Sequence, residues 1–172
     1  MDNKKKIHSR LSCKTKAESS IFKDDDYETS KMMLEDIKPF IPNNCKIIYD
    51  PFYCKGTIKK FWKELGYECI NEKKDAFNWK PKNFDITITN CPFSIKKKSM
   101  DLLFELKKPF MLLTTIDSMG CKWIKPYFDK LQFIIPRKRY AFIKDGKQTK
   151  SSWFDTCWFC YNCNLDKDIQ KL

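Results

Sequence analysis

"CKIIYDPFYCKGTIKKFWKELGYECINE", residues 45–72, decides the fold. "CKIIYD" (45–50) is a short apolar run and reads as a buried strand. "PFYCKG" (51–56) is a turn. "TIKKFWKELG" (57–66) puts Ile58, Phe61, Trp62 and Leu65 on one helical face, and Gly66 supplies the stop. "YECINE" (67–72) reads as a second strand. Two strands joined through a helix of this length run parallel, so the stretch is a βαβ unit.

The same alternation continues on both sides. Upstream, "DDDYETSKMMLEDIKPFI" (24–41) predicts a helix from Ser30 to Ile37, capped by Thr29 or Ser30 and stopped by Pro39. Downstream, Phe84–Thr89 is a strand and 95–107 a helix with Met100, Leu103, Phe104 and Leu106 inward. "PFMLLTTI" (109–116) is another buried strand, 121–129 a short helix and 131–135 a strand. From Arg139 onward two strands flank the turn Lys144-Asp145-Gly146-Lys147. Residues 1–20 are basic and polar with little periodicity, and read as a loose arm. The expectation is one domain, 21–172, built as an α/β three-layer sandwich with a mostly parallel sheet and a closing C-terminal antiparallel hairpin.

Composition bounds the function. The 172 residues include 42% hydrophobic and 15% aromatic side chains, which excludes a disordered chain. The net charge of +12 favours an anionic partner, most often nucleic acid, although a lysine-rich composition alone also produces such a charge. The nine cysteines are odd in number and scattered among apolar residues, and no apolar leader or long apolar run is present. We therefore expect reduced thiols in an intracellular, cytoplasmic protein. "CWFCYNC" (157–163) has the spacing Cys-x2-Cys-x2-Cys, but on a strand Cys157 and Cys163 share one face and Cys160 the other. The only histidine, His8, lies in the arm. No metal is expected.

Open α/β sheets bind ligands beyond the carboxyl ends of their strands. Three such ends carry unusual residues. After the first strand, Asp50-Pro51-Phe52 directs an acid and a ring over the sheet edge, and Gly56 lets a ligand approach the backbone. No Gly-Lys-Ser/Thr follows, which excludes a Walker loop, and one glycine stands where a dinucleotide fingerprint needs three. After the second strand, Glu72 can accept hydrogen bonds from two ribose hydroxyls and Asp75 can hold an adenine amine. Each acid is equally readable as a solvated loop charge. After the next strand comes "NCPFS" (90–94). Asn90 offers a carbonyl acceptor, Pro92 holds the Cys91 carbonyl in a fixed direction, and Phe93 can stack on a flat base. Such a turn can clamp an aromatic amino group. Taken alone it also reads as an ordinary strand-ending turn.

In order, "DYETSKMMLEDI", "YDPFYCKG", "NEKKDAF" and "DITITNCPFS" resemble the motifs of class I S-adenosylmethionine-dependent methyltransferases. The likeness is to adenine-N6 enzymes of the small phage and large-DNA-virus kind, and covers roughly residues 24–163. It implies a Rossmann-like methyltransferase fold, S-adenosyl-L-methionine as cofactor and nucleic acid, DNA before RNA, as substrate. It implies that Tyr27 and Thr29 touch the methionine part of the cofactor, and that Asp50, Phe52 and Gly56 line its pocket. Glu72 would hold the ribose, and Asp75 and Phe77 would flank the adenine. Asn90, Cys91, Pro92 and Phe93 would hold the target amine for direct in-line transfer, without metal or covalent intermediate. Two positions depart from the pattern: Cys91 replaces the first proline of Asn-Pro-Pro-Phe, and Cys54 replaces a glycine. With no room for a large recognition domain, Arg137, Lys138, Arg139 and Lys147 are the candidate phosphate contacts, beside Trp153 and Phe154. The alternatives are a nucleic-acid-binding module with a degenerate site, and methylation of guanine N2 or a protein glutamine amide.

Overall fold

A computed structural model describes residues 27–172; the arm expected over 1–20 lies outside them. The helices are α1 (Lys31–Ile37), α2 (Ile58–Glu64) and α3 (Lys96–Glu105). The strands are β1 (Ile47–Tyr49), β2 (Glu68–Ile70), β3 (Ile86–Asn90), β4 (Phe110–Thr115), β5 (Gln132–Ile135), β6 (Ile143–Lys144), β7 (Lys147–Gln148), β8 (Thr156–Tyr161) and β9 (Ile169–Lys171). Seven strands form one sheet in the order β2-β1-β3-β4-β8-β5-β9, and β6 and β7 form a separate antiparallel hairpin. Only β8 runs against its neighbours; the other pairings are parallel.

Residues 45–72 fold as the expected parallel βαβ unit, with Ile47 opposite Glu68 and Tyr49 opposite Ile70. The stop at Gly66 is a Schellman cap. Gly66 has φ +93°, its N–H donates to the Lys63 carbonyl and the Tyr67 N–H to the Trp62 carbonyl. The Trp62 and Tyr67 rings meet edge-on at 5.7 Å and close the motif.

Strand alternation sorts the apolar residues into two cores. Ile48, Ile86, Ile88, Met111, Leu113, Trp158 and Cys160 face α1 and α2, where Met33, Leu34, Ile37 and Trp62 meet them. Phe110, Leu112, Phe133, Cys157 and Phe159 face α3, where Met100 and Leu103 meet them. The sheet is therefore the middle of three layers. Across the β4–β8 ladder Leu113 lies opposite Trp158 and Leu112 opposite Phe159, so both faces stay in register.

Four details differ from expectation. Residues 121–129 make two 3-10 turns, Lys122–Ile124 and Phe128–Lys130, because Pro126 removes an N–H that a continuing α-helix requires. Ser30 stands at the N-cap of α1, but its hydroxyl makes no capping bond and is buried without a partner. β9 adds an edge strand beside β5 that no apolar pattern announces. Finally, β8 ends at Tyr161 and Asn162 has φ 51°, so Cys163 swings to the core of Cys160 and leaves Cys157 alone on the other face. Burial pushes the Cys157 thiol up to about 12, against a weaker opposing backbone hydrogen bond from Ile134. Burial, then the neighbouring Cys163, raises Cys160 as well. Among the described residues no group of three or more His, Cys, Asp or Glu is placed to hold a metal ion.

The strand order places the reversal point. From β1 the chain moves outward to β2, returns across β1 to β3, and then builds away through β4. The carboxyl ends of β1 and β3 therefore border the crevice where such sheets bind ligands.

Candidate functional site

Asp50 follows β1, Asn71 follows β2 and Asn90 ends β3. Parallel pairing puts all three at one sheet edge. The register Tyr49 opposite Ile70 sets Asp50 beside Asn71, and the Asn71 Nδ2 donates to the Asp50 carbonyl at 3.0 Å. The fourth wall comes from residues 27–29. It is fixed by the hairpin, since Glu28 and Ile143 exchange N–H···O bonds of 2.8 and 2.9 Å. The hairpin turn carries positive φ at both Asp145 and Gly146, which matches a type I′ turn.

These segments enclose one pocket, whose lining includes Tyr27, Thr29, Asp50, Phe52, Gly56 and Asn90. Glu28 and Asn71, which the sequence did not single out, join them. The crevice is narrow. Its cavity volume is about 30 Å³.

Acceptors dominate the lining. Asp50 is only 7% exposed. Its Oδ1 accepts the Thr89 hydroxyl at 2.6 Å and the Phe52 N–H at 3.2 Å. Burial nevertheless outweighs these bonds and lifts its carboxyl to about 7. Glu28 is also buried; it accepts the Thr57 hydroxyl at 2.7 Å and faces the Lys55 ammonium at 3.8 Å. Two amide oxygens are buried with no hydrogen-bond partner, Asn71 Oδ1 and Asn90 Oδ1. The other partnerless side-chain atoms among the described residues, on Ser30, Trp62, Thr87 and Thr156, do not line this pocket. The Asn90 amide is oriented by its Nδ2, which donates to the Tyr27 carbonyl across a long 3.4 Å. An acceptor left open in this way costs ~1–3 kcal/mol and calls for an explanation.

The remaining candidate residues lie as follows. Glu72 is outside the lining, exposed, and paired with Lys59 of α2 at 2.7 Å, which lowers its carboxyl below the usual range. Asp75 accepts the Phe77 N–H at 2.9 Å and the Asn78 amide at 2.6 Å, so its oxygens organise their own turn. Phe77 is 40% exposed, stands 6.3 Å from the Phe52 ring, and is not part of the lining. Cys91 points its side chain into the α3-side core. Pro92 (φ −55°, ψ 126°) turns the chain into the 3-10 turn Phe93–Ile95. Phe93 meets Phe154 edge-on at 5.2 Å. Cys54 does not have positive φ, so a side chain there carries no left-handed strain.

Gly56 does have positive φ, +78°, and a Cβ there would lie 2.9 Å from the Tyr53 hydroxyl. The Tyr53 ring thus fills the space where a ligand was expected to approach the glycine. Gly56→Ala is expected to lower stability by about 1–2 kcal/mol, read as a shift in the urea midpoint. An unshifted midpoint would mean the turn relaxes freely.

The basic candidates divide. Arg137 donates to the Leu172 carbonyl. Arg139 makes a two-pronged pair with Asp155 at 2.9 and 3.2 Å. Lys138 lines a separate groove with Pro136 and Tyr140, and Lys147 is exposed on β7. No protein-family model matches the chain, and no similar protein is found among curated proteins.

Proposed function

We propose that the protein is an S-adenosylmethionine-dependent methyltransferase acting on the exocyclic N6 amine of adenine in nucleic acid, DNA before RNA. The observation that carries this reading is the open acceptor of Asn90. It ends β3 at the reversal point, buried, with no N–H to satisfy it. An aromatic amine supplies that N–H. The mostly parallel sheet with an antiparallel strand toward its far side accords with the Rossmann-like methyltransferase fold that the sequence resemblance implies.

The crevice chemistry fits the cofactor. In a protein of charge +12 this one pocket gathers two carboxyl groups, Glu28 and Asp50, and two unpartnered amide oxygens. A ligand rich in N–H and O–H donors and carrying positive charge matches that set. Bound, the cofactor supplies an electrophilic methyl group on a sulfonium. Asn90 Oδ1 accepts one hydrogen of the target amine, and its hold strengthens as positive charge builds on the nitrogen. Phe93, backed by Phe154, limits the plane in which the base can lie. The target nitrogen would take the methyl group as the methyl–sulfur bond breaks to leave a neutral thioether, and would shed one proton to water. Because the crevice is narrow, ligand entry requires part of its lining to move aside.

Glu28 is expected to meet the ammonium of the cofactor's amino-acid end. Glu28→Gln should weaken S-adenosylhomocysteine binding roughly tenfold, and leave 5′-methylthioadenosine, which lacks that ammonium, unchanged. Equal losses for both ligands in calorimetry would remove Glu28 from this role. A second reading, a nucleic-acid-binding module with a degenerate site, is favoured by the small space in the crevice. Failure of both ligands to bind the native chain selects it.

A further inference from the structure

Trp153 is the most exposed large apolar side chain among the described residues, at 70%. Its loop is pinned on both sides of the ring. The Ser152 N–H donates to the Tyr140 carbonyl at 2.8 Å, and the Ser152 hydroxyl donates to the Phe154 carbonyl at 2.6 Å. Ser152 itself is buried. The indole is therefore held out into solvent by a fixed backbone.

The ring is also connected. Trp153 meets Phe154 at 5.2 Å with the rings perpendicular. Phe154 meets Phe93 at 5.2 Å, in the turn that follows Asn90. On the other side Phe154 meets Phe142 at 6.0 Å, and Phe142 meets Tyr27 at 6.1 Å, at the pocket wall. Thr156, just beyond, pairs with Thr115 at the carboxyl end of β4, so this string runs along the crevice edge of the sheet. The surroundings are basic. Lys150 precedes the loop, and the Lys144 ammonium lies 5.1 Å from the Tyr27 ring. The nearby acid Asp155 is occupied by Arg139.

We propose that Trp153 is a stacking platform for an unpaired nucleic-acid base neighbouring the base held at Asn90. A flat, exposed ring on a basic surface matches a ligand that is anionic along its backbone and aromatic at its bases. A second copy of this chain would instead bring a further +12 of charge against the patch. The inference rests on the nucleic-acid part of the functional reading but not on methyl transfer. An enzyme acting on a base removed from its stack must compensate the lost stacking, and a neighbouring platform does so.

The test is fluorescence anisotropy with a labelled single-stranded oligonucleotide of about 12 nucleotides, and inorganic polyphosphate as a base-free polyanion in parallel. Trp153→Ala should weaken the oligonucleotide by roughly 5- to 100-fold and Trp153→Phe by much less. Polyphosphate affinity should stay the same for all three proteins. An unchanged oligonucleotide affinity in Trp153→Ala overturns the proposal, as does an equal loss toward polyphosphate. If light scattering shows that Trp153→Ala dissolves a dimer while oligonucleotide binding is unaltered, the patch is a self-association surface and the proposal also fails. Should the native chain bind no S-adenosylhomocysteine while the Trp153 effect persists, the methyltransferase reading falls and the platform stands.

Discussion

Asn90→Ala is expected to lower methyl transfer by roughly 100- to 1,000-fold while S-adenosylhomocysteine affinity stays within about threefold of native. The split follows from where the side chain works. Asn90 Oδ1 is a buried open acceptor; in the proposed mechanism it receives the target amine, and that bond strengthens only as charge develops in transfer. Its contact with the wall, Nδ2 to the Tyr27 carbonyl, is long and contributes little. Truncation also removes a buried partnerless oxygen, so the thermal midpoint should hold or rise slightly. A variant that keeps full transfer would remove Asn90 from the mechanism. One that loses cofactor binding in equal measure would make it a wall residue.

Asp50→Asn should stabilise the protein while weakening the ligand. The sign follows from linkage. In the folded chain the Asp50 carboxyl titrates near 7, raised by burial from an ordinary value of 3.8. Below the lower value both states hold the proton. Between the two, only the folded state keeps it, and that advantage shrinks as pH rises. Above about 7 the folded state carries the full cost of a buried charge, on the order of 4 kcal/mol. The amide carries no such cost and still accepts the Thr89 hydroxyl. The gain of Asp50→Asn over native should therefore grow from pH 4 to 7 and level off above, in urea melts across that range. A pH-independent difference would contradict the buried ionisation. By the same sign, native affinity for S-adenosylhomocysteine should strengthen as pH rises through about 7, and this dependence should vanish in Asp50→Asn. A site that keeps a destabilising group for its binding chemistry has the character expected of function.

Local signals made much of the fold legible. "KIIYD" and the Ile58-Phe61-Trp62-Leu65 stripe determine their elements by period, and Gly66 marks a real cap. Asn90 was legible because a strand visibly ends there. Asn71 was not, because its place depends on register: only the pairing of Tyr49 with Ile70 sets it beside Asp50, while the neighbouring Glu72 lies with Lys59. Glu28 was hidden for a different reason. A glutamate in a polar stretch reads as solvated, and its burial comes from a hairpin more than a hundred residues later in the chain. β9 is an edge strand with a half-exposed isoleucine and a lysine, so no apolar alternation betrays it. Cys163 departs from strand alternation because β8 ends two residues before it, at Tyr161, and Asn162 is left-handed.

The functional reading depends first on whether the crevice takes the cofactor at all. Titration calorimetry of the native chain with S-adenosylhomocysteine at pH 8 tests this most directly. Saturable binding of one ligand per chain, in the micromolar range, is the expected result. No binding at millimolar ligand would contradict it, and would leave the open acceptors of Asn71 and Asn90 to some other donor-rich molecule.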